Sequence, residues 1–278
     1  MKTIVSITLV LLCLFSHPVH GQKAFNVVVK GKGTPVLLFP GFGCSAQVWD
    51  NVVEELSRNH ELHLFTFAGF GNAAPIEMPW FTTIKDQIAI YVKENKLEKT
   101  NLVGHSLGGT LALWLASSHT DMFKKVIVID GLPSTAAVMI PGYTGEKIPF
   151  DNPQSTKMLE MDDKTFQEMI AQQAAFMSKS PEGQKSIVAM MKNSDRKTYV
   201  YGYIEMLNLD LRNEIAKITV PVTVLAATFP DRAIVEKTYK AQFEKLPNVV
   251  IKYADQSAHF VMYDQPEWFL TNLLENID

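Results

Sequence analysis

The residues best suited to chemistry in this chain are a serine, a histidine and two aspartates. Ser106 stands in Gly104-His105-Ser106-Leu107-Gly108, after the apolar run 101–103 and before the Leu- and Ala-rich helical segment 107–118. A Gly-x-Ser-x-Gly run between a strand and a helix is a tight turn that lifts the serine hydroxyl above the sheet, at the helix N-terminus. The flanking positions are glycine because side chains there meet the strand and the helix. A free hydroxyl is a poor nucleophile, so it needs a base to take its proton and an acid to orient that base. His259, in Ala258-His259-Phe260, lies between the strand-like run 249–253 and the last helix and is the candidate base. His60, His63 and His119 fall elsewhere, and His105 sits inside the turn, where it packs beside the serine.

Two residues compete for the acid. Asp231, in Ala227-Thr228-Phe229-Pro230-Asp231-Arg232, gives the chain order Ser, Asp, His and is the first choice on that ground. Its other readings are a pair with Arg232 or a helix cap. Asp130, at the end of the β-branched run 126–129, is the alternative. Negative charge developing on an attacked carbonyl needs two backbone N–H donors. One is expected from Leu107 and the other from Phe42, in Phe39-Pro40-Gly41-Phe42-Gly43. Nearby, Cys44 reads as a small packed residue, and Trp49 as either a pocket wall or a helix anchor.

These groups need a frame to hold them. The chain has 278 residues, 47% of them hydrophobic and 20% charged, enough for one large α/β domain. Strand-like runs at 25–29, 36–39, 62–67, 101–103, 126–129, 222–227 and 249–253 alternate with helical patterns at 46–56, 84–94, 107–118 and 266–277. Ser45 is a plausible N-cap for the first helix. Gly31-Lys32-Gly33 reads as a hairpin-type turn between the first two strands. The alternation predicts a mostly parallel sheet covered by helices on both faces. From 133 to 216 no strand is apparent, only helical patterns broken by Pro and Gly, and eight of the twelve methionines lie there. They serve as packing for short helices or as a flexible apolar lining above a site.

Lys2, an uncharged run over 4–15 and then Pro18 have the layout of a secretory signal peptide ending near Gly21, with a lipoprotein signal at Cys13 disfavoured by Leu12. The expected division is therefore a leader at 1–21, a core at 22–132 and 217–278, and a helical insertion at 133–216, with export to the periplasm or medium. Without the leader, 25 Lys and Arg face 29 Asp and Glu, and only Cys44 remains. No basic footprint suggests nucleic acid, no further run is long enough to span a membrane, and no disulfide is expected. The seven histidines form no ligand pattern, so no metal or cofactor is expected and the partner is a small-molecule substrate.

From Phe25 to the C-terminus the chain resembles the α/β-hydrolase superfamily with a helical cap. The resemblance rests on Pro40-Gly41-Phe42-Gly43, on Gly104-His105-Ser106-Leu107-Gly108-Gly109, and on Ala258-His259-Phe260 followed by Gln265-Pro266-Glu267. It implies the α/β-hydrolase fold and a serine hydrolase acting on an ester. In that scheme Ser106 attacks, His259 takes its proton, Asp231 or Asp130 orients the imidazole, and the Phe42 and Leu107 N–H groups hold the oxyanion. Water then hydrolyses the acyl-enzyme. Two places depart from the common pattern: Pro40 replaces the histidine of a His-Gly loop, and Phe229-Pro230 stands where a Gly-containing turn is frequent. Dehalogenase relatives carry aspartate at the elbow, and Ser106 points away from their chemistry. The rivals are amide or peptide cleavage, lactone opening, and a cofactor-free lyase or perhydrolase. Aminopeptidase action requires acids such as Glu160, Asp162, Asp163 or Glu168 to bind a free amine. Outside catalysis, the rival is a ligand-binding protein that uses the capped pocket.

Overall fold

Runs of consecutive Val, Ile, Leu and Phe, too short for helices and apolar on both faces, supply the central strands. The computed structural model describes residues 22–277, so the leader expected at 1–21 lies outside the described residues. Seven strands form one sheet: β1 (Phe25–Gly31), β2 (Thr34–Phe39), β3 (His60–Phe67), β4 (Thr100–His105), β5 (Phe123–Ile129), β6 (Val222–Ala227) and β7 (Val250–Ala254). Their order is β1-β3-β2-β4-β5-β6-β7. All neighbours pair in parallel except β1, which runs antiparallel to β3 along one edge. Every residue of β4 and β6 is buried, whereas β1 is largely exposed.

The expected hairpin at Gly31-Lys32-Gly33 is corrected by this order. β1 and β2 are joined by a tight turn but are not neighbours, because β3 lies between them. Gly31 and Gly33 have φ of +78° and +127°, and a Cβ at Gly33 would lie 2.0 Å from the Asn59 carbonyl oxygen. The turn is glycine-rich because the chain entering β3 presses against it, and a local pattern cannot reveal that intruder.

Three helices occupy the first crossovers, α1 (Asp50–Leu56), α2 (Trp80–Glu94) and α3 (Leu107–Ser118). A 3₁₀ turn, Ala46–Trp49, precedes α1 and is capped by Ser45, whose side chain accepts from the Gln47 N–H. Ten of the twelve residues of α3 are buried, which is why it shows no polar stripe.

Between β5 and β6 the chain runs through α4 (Ala136–Met139), α5 (Pro153–Leu159), α6 (Asp163–Met177), α7 (Pro181–Met191) and α8 (Arg196–Leu207) without a strand. Asn152, Asp162, Ser180 and Asp195 cap α5 to α8 through their side chains, as their residue types favour. Helix α9 (Arg232–Gln242) joins β6 to β7, and α10 (Val261–Asp264) and α11 (Pro266–Ile277) end the chain. Helix α9 is polar overall and buries only Tyr239 and Gln242 along its length. Among the described residues, no helix is long and apolar enough to cross a membrane.

Two carboxylates tie the inserted helices to the rest of the fold. Glu205 of α8 accepts from the Trp80 and Phe81 N–H groups at 3.1 and 2.6 Å, satisfying the first turn of α2, whose N-cap is a proline. Desolvation pushes its carboxyl above the ordinary range, opposed by those two bonds. Asp264 accepts from Ser178 Oγ, from the Lys179 and Ser180 N–H groups and from the Ala258 N–H. The turn between α6 and α7 is thereby fastened to the loop that carries His259.

Candidate active site

The turn from β4 into α3 puts Ser106 at φ +53°, a conformation that non-glycine residues rarely adopt. It persists because strand and helix are packed against each other: a Cβ on Gly104 would lie 2.1 Å from the Gly108 carbonyl oxygen, and one on Gly108 2.3 Å from that of Phe39. The Ser106 N–H is bonded to the Ile129 carbonyl at 2.8 Å, which fixes the turn to β5. The hydroxyl therefore stands at the N-terminus of α3, where the first N–H groups have no partner inside the helix. Leu107 supplies one of these. The Phe42 N–H, in the turn after β2, donates to no backbone carbonyl among the described residues. Of the two expected oxyanion donors, Phe42 lines the same cavity as Ser106, while Leu107 is the buried residue next to Ser106 in the chain.

His259 lines this cavity too, and the carboxylate bonded to its imidazole is Asp130. His259 Nδ1–H donates to Asp130 Oδ2 at 2.6 Å, with the two side chains 30% and 14% exposed. This tautomer leaves Nε2 free to accept a proton. Asp130 follows β5 directly at φ +44°, and its other oxygen accepts from Tyr239 Oη at 2.7 Å and from the Ala227 N–H at 2.9 Å.

The structure does not bring Asp231, the first choice by chain order, to His259. Asp231 is exposed, caps α9 by accepting from the Ile234 N–H at 3.0 Å, and makes no bond to His259 among the described residues. Its carboxylate answers the unsatisfied N–H groups of a helix start, the cap reading of the sequence. Arg232 pairs with Glu236 and Asp255 instead. Sequence reasoning missed Tyr239 and the Ala227 N–H altogether. The signal that could have found Tyr239 is the helical spacing of Val235, Tyr239 and Phe243, which marks it as an inward-facing residue.

His105 is wholly buried behind the serine, its Nε2–H donating to the His259 carbonyl at 3.0 Å while Nδ1 has no partner. Burial, reinforced by the neighbouring His259, pushes it down to about 3. It stays neutral and acts as packing and a brace for the His259 loop. Burial likewise pushes the Cys44 thiol up to about 12, so it is inert. Trp49 is fully buried and does not line the cavity, which settles it as a helix anchor.

The cavity measures about 820 Å³ and is roofed by the inserted helices. Met139, Met158, Met177, Met191 and Met206 line it together with Ile140, Ile148, Val200 and Ile204. The lining contains no Asp, Glu, Lys or Arg. Phe42 is wedged among Phe70, Trp80, Tyr199 and Tyr203, with ring centroids 5.0 to 6.2 Å apart. The methionines divide between the two expected roles, since Met190 is buried outside this lining. Glu160, Asp162, Asp163 and Glu168 do not face the cavity; Asp162 caps α6 and Asp163 pairs with Arg196. Among the described residues, no three His, Cys, Asp or Glu side chains group as a metal site.

A mostly parallel sheet with a strained serine between strand and helix, and an acid-bound histidine lining the same cavity, is the architecture of an α/β hydrolase enzyme. A family model described as alpha/beta hydrolase fold matches residues 34–265, and the chain belongs to that family. A pimeloyl-[acyl-carrier protein] methyl ester esterase from Vibrio vulnificus is 24% identical over 246 residues, spanning 88% of this chain and 94% of the relative. Among solved structures, an esterase from Exiguobacterium antarcticum superposes with a TM-score of 0.77 at 19% identity, covering 91% of this chain and 95% of its own. An enol-lactonase from Burkholderia xenovorans gives 0.75 at 16% identity, covering 91% and 96%.

Proposed function

We propose that the protein is a serine esterase for uncharged esters with an apolar acyl or alcohol group, working through Ser106, His259 and Asp130. The observation that carries the reading is the 2.6 Å bond from His259 to Asp130, at one cavity with the serine of a strained elbow. In the proposed cycle, His259 Nε2 takes the Ser106 proton as Oγ attacks the ester carbonyl. Asp130 keeps the Nδ1–H tautomer and stabilises the imidazolium. The Leu107 and Phe42 N–H groups receive the oxyanion, the alcohol leaves with the proton from His259, and water repeats the sequence on the acyl-enzyme.

Esterase relatives over most of the chain support ester chemistry. The charge-free lining supports an uncharged substrate, because a carboxylate or ammonium group would be desolvated there without a partner. It also disfavours aminopeptidase action, for want of an acid to receive the amine. Lactone opening uses the same machinery and belongs in the same assay.

The test is release of p-nitrophenol from acetate, butyrate and octanoate esters, alongside a lactone series. Ser106→Ala should retain fold and lose at least about 10³-fold in kcat. Folded wild-type protein without turnover on any of these would overturn the proposal and favour a binding role.

We also propose that residues 133–216 act as a cap on a core formed by 22–132 and 217–278, and that residues 1–21 are a cleaved export signal. The charge, apolar run and Pro18 of the N-terminus support export. Protein recovered outside the cytoplasm should begin near Gln22; recovery of intact Met1 inside the cell would exclude it.

A further inference from the structure

Asp130 is held more tightly than its role as a partner of one histidine requires. Its backbone N–H is bonded to the Leu225 carbonyl at 2.9 Å, which fixes the residue in the left-handed region at the end of β5. That leaves the side chain's two torsions, of which the last is broad and two-fold for aspartate. Two donors on Oδ1 remove this freedom: the Ala227 N–H, given by the register of β5 with β6, and the Tyr239 hydroxyl, brought 109 residues along the chain by α9.

Tyr239 is 5% exposed and stacks on Phe243, with ring planes 4° apart. Burial and the adjacent carboxylate push its phenol well above the ordinary range, so it remains a donor at any working pH. We propose that Tyr239 is a positioning residue for Asp130, fixing the carboxylate so that Oδ2 faces His259 and drawing part of its charge onto Oδ1. The proposal rests on the assignment of Ser106, His259 and Asp130 as the catalytic set.

Removing the hydroxyl has two consequences. The carboxylate gains rotational freedom, so fewer molecules hold the productive geometry, and kcat falls while substrate contacts are untouched. Oδ2 also becomes more basic, and a more basic oxygen holds the protonated imidazole more tightly. Since the protonated imidazole cannot accept the Ser106 proton, the acidic limb of kcat/KM moves to higher pH.

The experiment is Tyr239→Phe in the full chain. The expected result is a kcat about tenfold lower with KM unchanged, and an acidic limb shifted upward by a few tenths of a pH unit. A residue that served packing alone would lower the unfolding temperature and leave the limb in place. Proton NMR supplies a readout that needs no turnover. The low-field Nδ1–H resonance of His259 should survive in Ser106→Ala, vanish in Asp130→Asn and shift in Tyr239→Phe. If the resonance shifts while no ester is cleaved, the esterase proposal fails and the positioning role stands. If ester is cleaved while limb, kcat and resonance are all unmoved, the positioning role fails alone. Should Tyr239→Phe not fold, 3,5-difluorotyrosine at position 239 keeps the ring and strengthens the donor. The limb should then move downward, and an unmoved limb overturns the proposal.

Discussion

Strands β5 and β6 are neighbours that end at the same edge of the sheet, each followed by an aspartate, and the two aspartates have opposite fates. Asp130 comes immediately after β5, at a positive φ and 14% exposed, with both carboxylate oxygens engaged. Asp231 comes four residues beyond β6, exposed to water, with a helix N–H as its partner. Residue type is the same; what differs is the local supply of donors. Where the chain turns straight off a central strand, a side chain inherits the neighbours that sheet register provides. Where it first runs out to a helix start, the unsatisfied N–H groups of that helix capture the carboxylate.

Exchange of the two acids for amides tests this contrast most sharply. Asp130→Asn should cost about 10³- to 10⁴-fold in kcat, because an amide cannot stabilise the imidazolium and favours the wrong tautomer. Steady-state kinetics on the best p-nitrophenyl ester measures it, and a loss under tenfold would erase the distinction between the two loops.

The buried histidine one strand away should give an intermediate effect, on stability rather than rate. His105 is held at about 3 when folded against an ordinary value of 6.5, so between these values the unfolded chain binds more protons than the folded one. Stability therefore rises with pH across that window and is lost on acidification, by up to about 1.4 kcal/mol per pH unit below 6.5. Urea midpoints at pH 7 and 4.5 report this, and His105→Gln should fall less over the same interval. An equal fall in both proteins would mean that the buried imidazole does not set the acid sensitivity.

Asp231→Asn or Asp231→Ala should give the smallest change. Activity and its pH profile stay as in the wild type, while loss of the α9 cap by alanine costs about 1 kcal/mol, and asparagine costs less because it too caps helices. Thermal unfolding beside the ester assay distinguishes the two aspartates directly. A large activity loss at Asp231 would restore it as the acid.

Much of this arrangement was legible locally. The edges of α3 and α11 and of β6 follow from apolar runs bounded by Gly, Pro and cap residues, and Ser106 follows from an elbow whose glycines serve one purpose. His259 could be picked because it sits between the last strand and the last helix. Helix α9 was passed over because it is polar overall with only two buried residues, although Val235, Tyr239 and Phe243 recur at helical spacing, and Tyr239 was passed over with it. The turn at Gly31 to Gly33 looked like a hairpin because tight turns share their residue types whether or not the flanking strands pair.

What the sequence determined by itself is most of the elements and the elbow that carries Ser106, since both depend on residues close together in the chain. Dihedral preferences, burial periodicity and cap chemistry act over a few residues and leave their marks there. What only the tertiary structure decided is which aspartate is bonded to His259, which strand lies between β1 and β2, and what lines the cavity. Those depend on groups 129 residues apart for the His259–Asp130 bond and 109 for Tyr239–Asp130, brought together by strand order and register. A hydrogen bond requires atoms within about 3 Å, and separation along the chain carries no information about that distance.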